Sequence, residues 1–264
     1  MSSFMNLYLK LKFFQVFNHI MLVLGLIYVF NTSEWFWLGI SLVATILICT
    51  LGITCGFHRL LSHQSYKTSR FWEIFLTVFG LYATMGSSIT WVGVHRLHHA
   101  KADKPKDPHS PYVNRGDGEV IKFSWRQGIK SWINMWNLEM FTPRYVAGII
   151  RDPVHNFFHV HYYKILFVTA ASLALIDPLL MVFVYCIPAC LTFHCTGSII
   201  VIAHIHGYRN HNTRDKSTNS WIANIVTLGD GWHNNHHAHP GNWTTQEKWW
   251  EIDPAGWFIR LIKK

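Results

Sequence analysis

Four long apolar runs restrict what this chain of 264 residues can fold into. They cover approximately residues 13–30, 36–57, 163–176 and 179–203. Because a helix rises about 1.5 Å per residue, about 18 residues reach ~27 Å, close to the thickness of the hydrocarbon layer of a membrane. Only 14% of the residues are charged, against roughly 25% in soluble domains. Lipid is therefore expected to solvate part of the surface.

Two short polar breaks join these runs into two hairpins. Residues 31–35 separate the first pair, and Asp177-Pro178 separates the second. Neither break contains any of the 23 Lys and Arg residues, which lie in the N-terminus, in residues 59–164 and after Tyr208. This asymmetry predicts an integral, multi-pass membrane protein with both termini in the cytoplasm.

The sections between and after the hairpins complete a single predicted domain. A mostly apolar run at about 71–94, with several small and polar residues, predicts a helix lying in the membrane interface. Residues 95–162 and 207–264 are polar and predict a cytosolic helical cap. The fold class is thus an all-α membrane protein with four transmembrane helices, in which the cap holds the functional groups.

Composition argues against two other classes. The net charge of +9 raises the possibility of a nucleic-acid partner, but the basic residues do not gather on one predicted recognition element. The charge fits the topology and attraction to anionic membrane lipid instead. All five cysteines fall in or beside apolar runs without a Cys-x-x-Cys pair, so we expect buried thiols and neither disulfides nor a zinc ribbon.

Three histidine clusters stand at the ends of apolar segments. Residues three and four apart share a helix face, so two of the clusters can each point three imidazoles at one place. The first pair is five residues apart, a less regular spacing, and His204 at the end of the last run can add a ninth ring. The clusters are His58/His63, His95/His98/His99 and His233/His236/His237.

So many imidazoles predict two metal ions, because one zinc ion takes only about four ligands. Imidazole binds zinc, copper, iron and nickel. A dinuclear centre beside a lipid-facing cavity favours iron and oxygen chemistry on a hydrocarbon, although the ligand type leaves zinc open. Asp230 and Asp107 are candidates to accept a ring N–H from a ligand, the alternative being solvated turn aspartates.

The motifs around these clusters resemble those of the membrane-bound fatty acyl desaturases of the delta-9 type, nearest in style to bacterial and cyanobacterial members. The likeness runs from about residue 15 to residue 262. The motifs that carry it, besides the clusters, are Gly52-Ile-Thr54, Gly56-Phe57, Trp91-Val-Gly-Val-His95, Asp107-Pro-His109, Gly231-Trp-His-Asn-Asn-His-His-Ala238 and Trp249-Trp-Glu-Ile-Asp253.

The resemblance implies a di-iron, O2-dependent enzyme that places a cis double bond, delta-9 in position, in a saturated acyl chain. It implies four transmembrane helices under a cytosolic cap, an acyl substrate carried on CoA, a carrier protein or a glycerolipid, and a separate electron donor such as a ferredoxin or a b-type cytochrome. The ligands it implies are His58, His63, His95, His98, His99, His204, His233, His236 and His237.

Substrate-binding residues follow from the same resemblance. Trp91 matches a residue at the bend of the family's substrate tunnel, and Met85 stands where the family has a glutamine. Leu42 and Ile46 precede His58 by sixteen and twelve residues, which places them ~18–24 Å along the helix. We expect this pair to close the tunnel's far end, with ordinary helix packing as the alternative.

Two further departures from the family pattern concern the metal centre. Ile200 replaces an asparagine that contacts one iron through water, and Asp230 replaces a glutamate. Because Ile200 cannot form a hydrogen bond, the coordination of one iron is expected to differ. Two other functions fit the same clusters: a di-iron lipid hydroxylase, and a non-enzymatic or zinc-dependent membrane metal protein. Product and metal analysis distinguish them.

Overall fold

Helices account for the regular structure of the protein. The computed structural model describes residues 2–114, 118–134 and 143–264, with side chains from Leu9 onward. Within these ranges there are isolated β-bridges but no strand, so the all-α class is confirmed. In the described part of the chain, three helices are long and apolar enough to cross a membrane, Leu9–Thr32, Phe36–Ser62 and Pro178–Ile205. A fourth crossing results if Pro153–Val160 and Tyr162–Ile176, bent by 66°, form one span.

Helix α1 (Ser2–Thr32) presents apolar side chains to its outside. Phe13, Ile20, Ile27 and Phe30 are exposed, while its inner side packs against the last span. A helix that is apolar on all sides has to be covered by protein or by lipid. Lipid is therefore the natural environment of these exposed residues.

The second span changes its winding halfway. Helix α2 (Phe36–Leu47) continues into a π-helical segment, π1 (Ile48–Ser62), which carries the first histidine cluster. In a π-helix each N–H donates to the carbonyl five residues earlier. This spacing continues one residue beyond π1, because the His63 N–H donates to the His58 carbonyl at 3.1 Å. Residues five apart therefore face the same way in this segment.

The single interfacial helix expected at 71–94 is instead two helices. α3 (Arg70–Leu81) and α4 (Ser88–Lys101) are separated by a turn. Thr84 and Gly86 have positive φ angles of 53° and 98° there, which ends a helix. The Ser87 hydroxyl then accepts from the Thr90 N–H and begins α4.

Glycine allows π1 and α3 to lie in backbone contact. A Cβ at Gly52 would stand 2.5 Å from the Gly80 nitrogen, nearer than any side-chain atom can approach. This contact fixes the position of π1, and hence of His58, against the helices that follow.

The last span and the shorter helices complete the fold. The last span begins at α8 (Pro178–Leu180), passes through a second π-helical segment, π2 (Met181–Cys186), and ends in α9 (Ile187–Ile205). The others are α5 (Trp125–Ile133), a 3-10 turn (Pro143–Tyr145), α6 (Pro153–Val160), α7 (Tyr162–Ile176), α10 (Trp221–Thr227), α11 (His233–Ala238) and α12 (Pro254–Ile262).

Candidate metal centre

Five of the predicted histidines form one group. They come from π1, the residue after it, α4 and α11, and their ligand atoms all lie within 4.8 Å of one another. Their Nε2 atoms converge: His58 to His236 is 2.9 Å, His63 to His95 is 2.8 Å and His99 to His236 is 3.1 Å. We call this set, His58, His63, His95, His99 and His236, the five-histidine group.

The other four predicted histidines form a second group beside the first. Its members, His98, His204, His233 and His237, also have ligand atoms within 4.8 Å of one another. We call it the four-histidine group. The rings of His99 and His237, one from each group, have centroids only 4.5 Å apart, so the two groups are neighbours.

Helix periodicity explains how α4 and α11 serve both groups. On α4, His95 and His99 are four apart and face the five-histidine group, while His98 faces the other. On α11 the division is reversed, with one ring for the five-histidine group and two, His233 and His237, for the four-histidine group. Residues four apart share a face, and the residue beside them points elsewhere.

Four buried or nearly buried carboxylates orient imidazoles by binding the ring nitrogen on the side away from the histidine groups. Since a carboxylate only accepts, each imidazole Nδ1 donates to it, which turns Nε2 toward the group. The pairs are His58–Asp230 at 3.1 Å, His98–Asp107 at 2.9 Å, His204–Asp103 at 2.9 Å and His237–Asp215 at 3.1 Å.

These carboxylates are held in their charged form. Burial alone would raise the pKa of Asp230, but its contacts with His58, Arg59 and Thr54 outweigh burial and lower that pKa to about 2. The pKa of Asp215 is likewise lowered, because the hydrogen bond from His237 and those from Ser217 outweigh its burial. Each charged carboxylate makes its imidazole a stronger ligand.

The imidazoles themselves are held neutral. Burial, followed by the neighbouring imidazoles, lowers the pKa of His63, His95, His99 and His236 well below the usual histidine value. A neutral imidazole has one N–H and one nitrogen with a free lone pair. Where five such rings converge through Nε2, their lone pairs face one another, and a single proton between them cannot bond to all five. A cation at the centre satisfies them all.

Two buried atoms of the four-histidine group support the same interpretation. Among the residues that the structure describes, the His233 Nδ1 and the His237 Nε2 have no hydrogen-bond partner, although buried polar atoms in proteins almost always have one. A metal ion supplies such a partner. The residues of both groups thus fit two metal ions of the kind that imidazole binds, including zinc and iron.

An apolar cavity adjoins both groups. Its walls combine the rings of His58, His98 and other group members with Trp91 and Ile200. Ile200 is nearly buried and lies where the family pattern has a hydrogen-bonding asparagine. A cavity with apolar walls and a polar ring of imidazoles at one place is suited to a hydrocarbon chain.

Of the four predicted substrate residues, the structure places one in the lining of the cavity. Trp91 lines the cavity, whereas Met85 is buried in the core outside the described lining. Leu42 and Ile46 are 57% and 40% exposed and do not line it. The π-helical winding of π1 separates these two residues from His58, so their facing cannot be extrapolated from an α-helix. Cys49, inside π1, lines the cavity instead.

Three important residues were not found by sequence reasoning. Asp103 and Asp215 stand in turns, where aspartate is common without any ligand-orienting role. Arg59 follows His58 and looks like a surface residue in the sequence, yet it is buried. It donates to both Asp253 carboxylate oxygens at 2.8 and 3.1 Å and to Asp230 at 3.4 Å.

Comparisons with known proteins agree with this geometry. The model of the fatty acid desaturase family matches residues 33–255. A sn-1 stearoyl-lipid 9-desaturase of Anabaena variabilis is 32% identical, over 91% of this chain and 86% of that protein.

A sn-2 palmitoyl-lipid 9-desaturase of Nostoc sp. (strain 36) is 32% identical, over 97% of this chain and 87% of the relative. An acyl-CoA C20 Delta5-desaturase of Anemone leveillei is 31% identical, over 93% and 78%. Family match, coverage and histidine geometry lead to one conclusion: the chain belongs to the fatty acid desaturase family, whose members are membrane oxidoreductases, and resembles its delta-9 type.

Proposed function

We propose that this protein is an O2-dependent, di-iron acyl desaturase of the stearoyl type that places a cis double bond at the delta-9 position. The observation that carries the proposal is the convergence of nine imidazoles in two neighbouring groups at one apolar cavity. The reaction is R–CH2–CH2–R′ + O2 + 2 e⁻ + 2 H⁺ → R–CH=CH–R′ + 2 H2O. Two of the four electrons for O2 come from the chain, and two from a donor.

The nine histidines would hold two iron ions, one in each group. Bound iron supplies the one-electron chemistry that activates O2 and removes hydrogen from an unactivated methylene. The four aspartates hold their imidazoles in one tautomer, with Nε2 toward the ion. The apolar cavity excludes water from the reacting carbons and fixes which carbons lie beside the imidazoles.

The acyl chain has no polar group near the reacting carbons, so the shape of the cavity has to position it. Trp91 stands at the junction of cavity and imidazoles: its ring is stacked on His95, with centroids 4.7 Å apart. We assign Trp91 to the positioning of the chain beside the five-histidine group. Met85 is buried in the same hydrophobic core as Trp91, and we assign it to the packing around that core.

The membrane arrangement belongs to the same proposal. Four crossings, with α6 and α7 as a bent third crossing, would place both termini and all nine histidines on the cytoplasmic side. The distribution of Lys and Arg, absent from residues 31–35 and 177–178, supports this orientation. The polar helices between and after the spans then form a cytosolic cap over the centre.

The names of relatives support the proposed double-bond position. The names of two cyanobacterial relatives specify 9-desaturation of stearoyl or palmitoyl lipid, and another names Delta5-desaturation of a C20 acyl-CoA. The match to this chain covers 86% and 87% of the length of these two 9-desaturases. We therefore assign delta-9 to this chain.

The test is expression in a desaturase-deficient host, with lipid classes separated before double-bond positions are mapped. We expect delta-9 monoenes and about two iron ions per purified chain. In His236→Ala we expect no monoenes and about one iron ion fewer. Hydroxylated chains as the main product would indicate the hydroxylase alternative. Zinc without product, even when an electron donor is added, would indicate a non-enzymatic metal protein.

A further inference from the structure

The two histidine groups are open on two separate sides. A polar depression, distinct from the apolar cavity, has His99 and His237 in its lining. Neither ring lines the apolar cavity, whose described lining contains the histidines 58, 95, 98, 109, 204 and 233. Since His99 belongs to the five-histidine group and His237 to the four-histidine group, the depression reaches both groups at once.

Two basic side chains line this depression, and others stand near them in the chain. Lys104 and Arg214 line it and are exposed. Their two segments are in contact, because the Lys216 N–H donates to an Asp103 oxygen at 2.8 Å. We call the exposed cations of these segments the basic rim: Lys101, Lys104, Lys106, Arg209, Arg214 and Lys216.

The acidic side chains of the same segments do not offset this charge at the surface. Asp103, Asp107 and Asp215 accept hydrogen bonds from the imidazoles His204, His98 and His237. Asp215 also lines the depression, but its side chain is only 11% exposed. Glu247, nearby, binds His211 at 2.7 Å. The segments therefore direct their negative charge to the metal groups and their positive charge to the outside.

We propose that the basic rim is the docking surface for an acidic, soluble one-electron carrier protein, which delivers electrons through His99 and His237. The proposal rests on the proposed function, in which two electrons per turnover come from a donor. Two reduced carrier molecules are each oxidised by one electron per turnover, and solvent supplies the two protons. Docking there places the carrier beside both groups without obstructing the acyl cavity.

A carrier protein fits this surface better than a lipid headgroup does. Between the cations, the depression is lined by small or polar residues such as Asn212, Thr213 and Ala238. Exposed large apolar residues, which a membrane contact requires, lie instead on α10 and α12, for example Ile225 and Leu261. The rim thus has the charge for an acidic partner without an apolar anchor for lipid.

The test measures electron transfer from defined carriers. The full-length, iron-loaded protein in nanodiscs receives acyl substrate, O2 and either a reduced acidic [2Fe–2S] ferredoxin or a reduced soluble b-type cytochrome. In Lys104→Glu/Arg214→Glu we expect the apparent KM for the more active carrier to rise about tenfold or more, since electrostatic steering changes association rates by about 10–10³. The salt dependence of the rate should flatten as well, and the Kd of the oxidised carrier for the nanodisc-embedded protein, measured without turnover, should rise by a similar factor.

The matched control reverses one Lys and one Arg outside the rim. Arg126→Glu/Lys130→Glu alters two exposed cations of α5 and should leave the carrier KM unchanged. Dithionite serves as reductant in parallel, so each variant is judged by its rate with carrier divided by its rate with dithionite.

Three outcomes would overturn the proposal: equal carrier KM values in rim and control variants, turnover with dithionite but with neither carrier, or a rim effect confined to binding of anionic vesicles. If no reductant, dithionite included, gives product, the proposed function itself fails. The two failures are therefore distinguishable.

Discussion

Removing the charge of one aspartate should loosen one metal ion and leave the other in place. Asp107 is buried, and both its oxygens lie near the His98 Nδ1, at 2.9 and 3.1 Å. Asp107→Asn keeps an oxygen there but loses the charge. Partners of this kind change metal affinity about 10–100-fold, which corresponds to about 1.4–2.8 kcal/mol. The affected ion should be the one in the four-histidine group.

Asp230→Asn is the matched counterpart, because Asp230 accepts from His58 in the five-histidine group. Each iron-loaded variant is titrated with a chelator, and the iron retained is measured by mass spectrometry. We expect iron to be released in two phases in both variants. Combining each variant with His237→Ala or His63→Ala shows which group releases its ion first. This should be the four-histidine group in Asp107→Asn and the five-histidine group in Asp230→Asn. Parallel loss of both ions in either variant would refute the division into two groups.

Three other predictions concern stability. Arg59→Leu leaves Asp253 buried without its guanidinium partner and should cost about 3–5 kcal/mol of unfolding free energy in detergent; a loss below about 1 kcal/mol would contradict this. Gly52→Ala forces π1 away from Gly80 and should cost about 1–3 kcal/mol, seen as a lower Tm. Burial lowers the pKa of His237 to about 4, so the unfolded chain takes up the proton first. The metal-free protein should therefore lose stability as the pH falls from about 6.5 to about 4, and a pH-independent unfolding free energy would disprove it.

The sequence was sufficient to predict the helical class and the histidine clusters, because both depend on local composition and spacing. Apolar runs of membrane-spanning length are visible without any tertiary information. Spacings of three and four, as in His95, His98 and His99, imply shared helix faces directly. The spacing of His58 and His63 could not be explained in this way, because π1 replaces the α-helix there.

The parts that sequence reasoning missed depend on tertiary contacts. The direction of Leu42 and Ile46 relative to His58 depends on the winding of π1 between them, which the sequence does not reveal. Asp103 has a positive φ of 54° in a turn, and only the folded chain brings it to His204, 101 residues away. Such long-range pairs leave no periodic signal in one sequence.

The reversed division of rings between α4 and α11 has a physical consequence for the centre. Each of these helices contributes to both groups, so the separation of the groups depends on helix geometry, which is rigid, and not on loop conformation. A rotation of either helix would displace rings in both groups together. The two groups, made of segments as distant in the chain as His58 and His237, are therefore held at a fixed separation by the helices that they share.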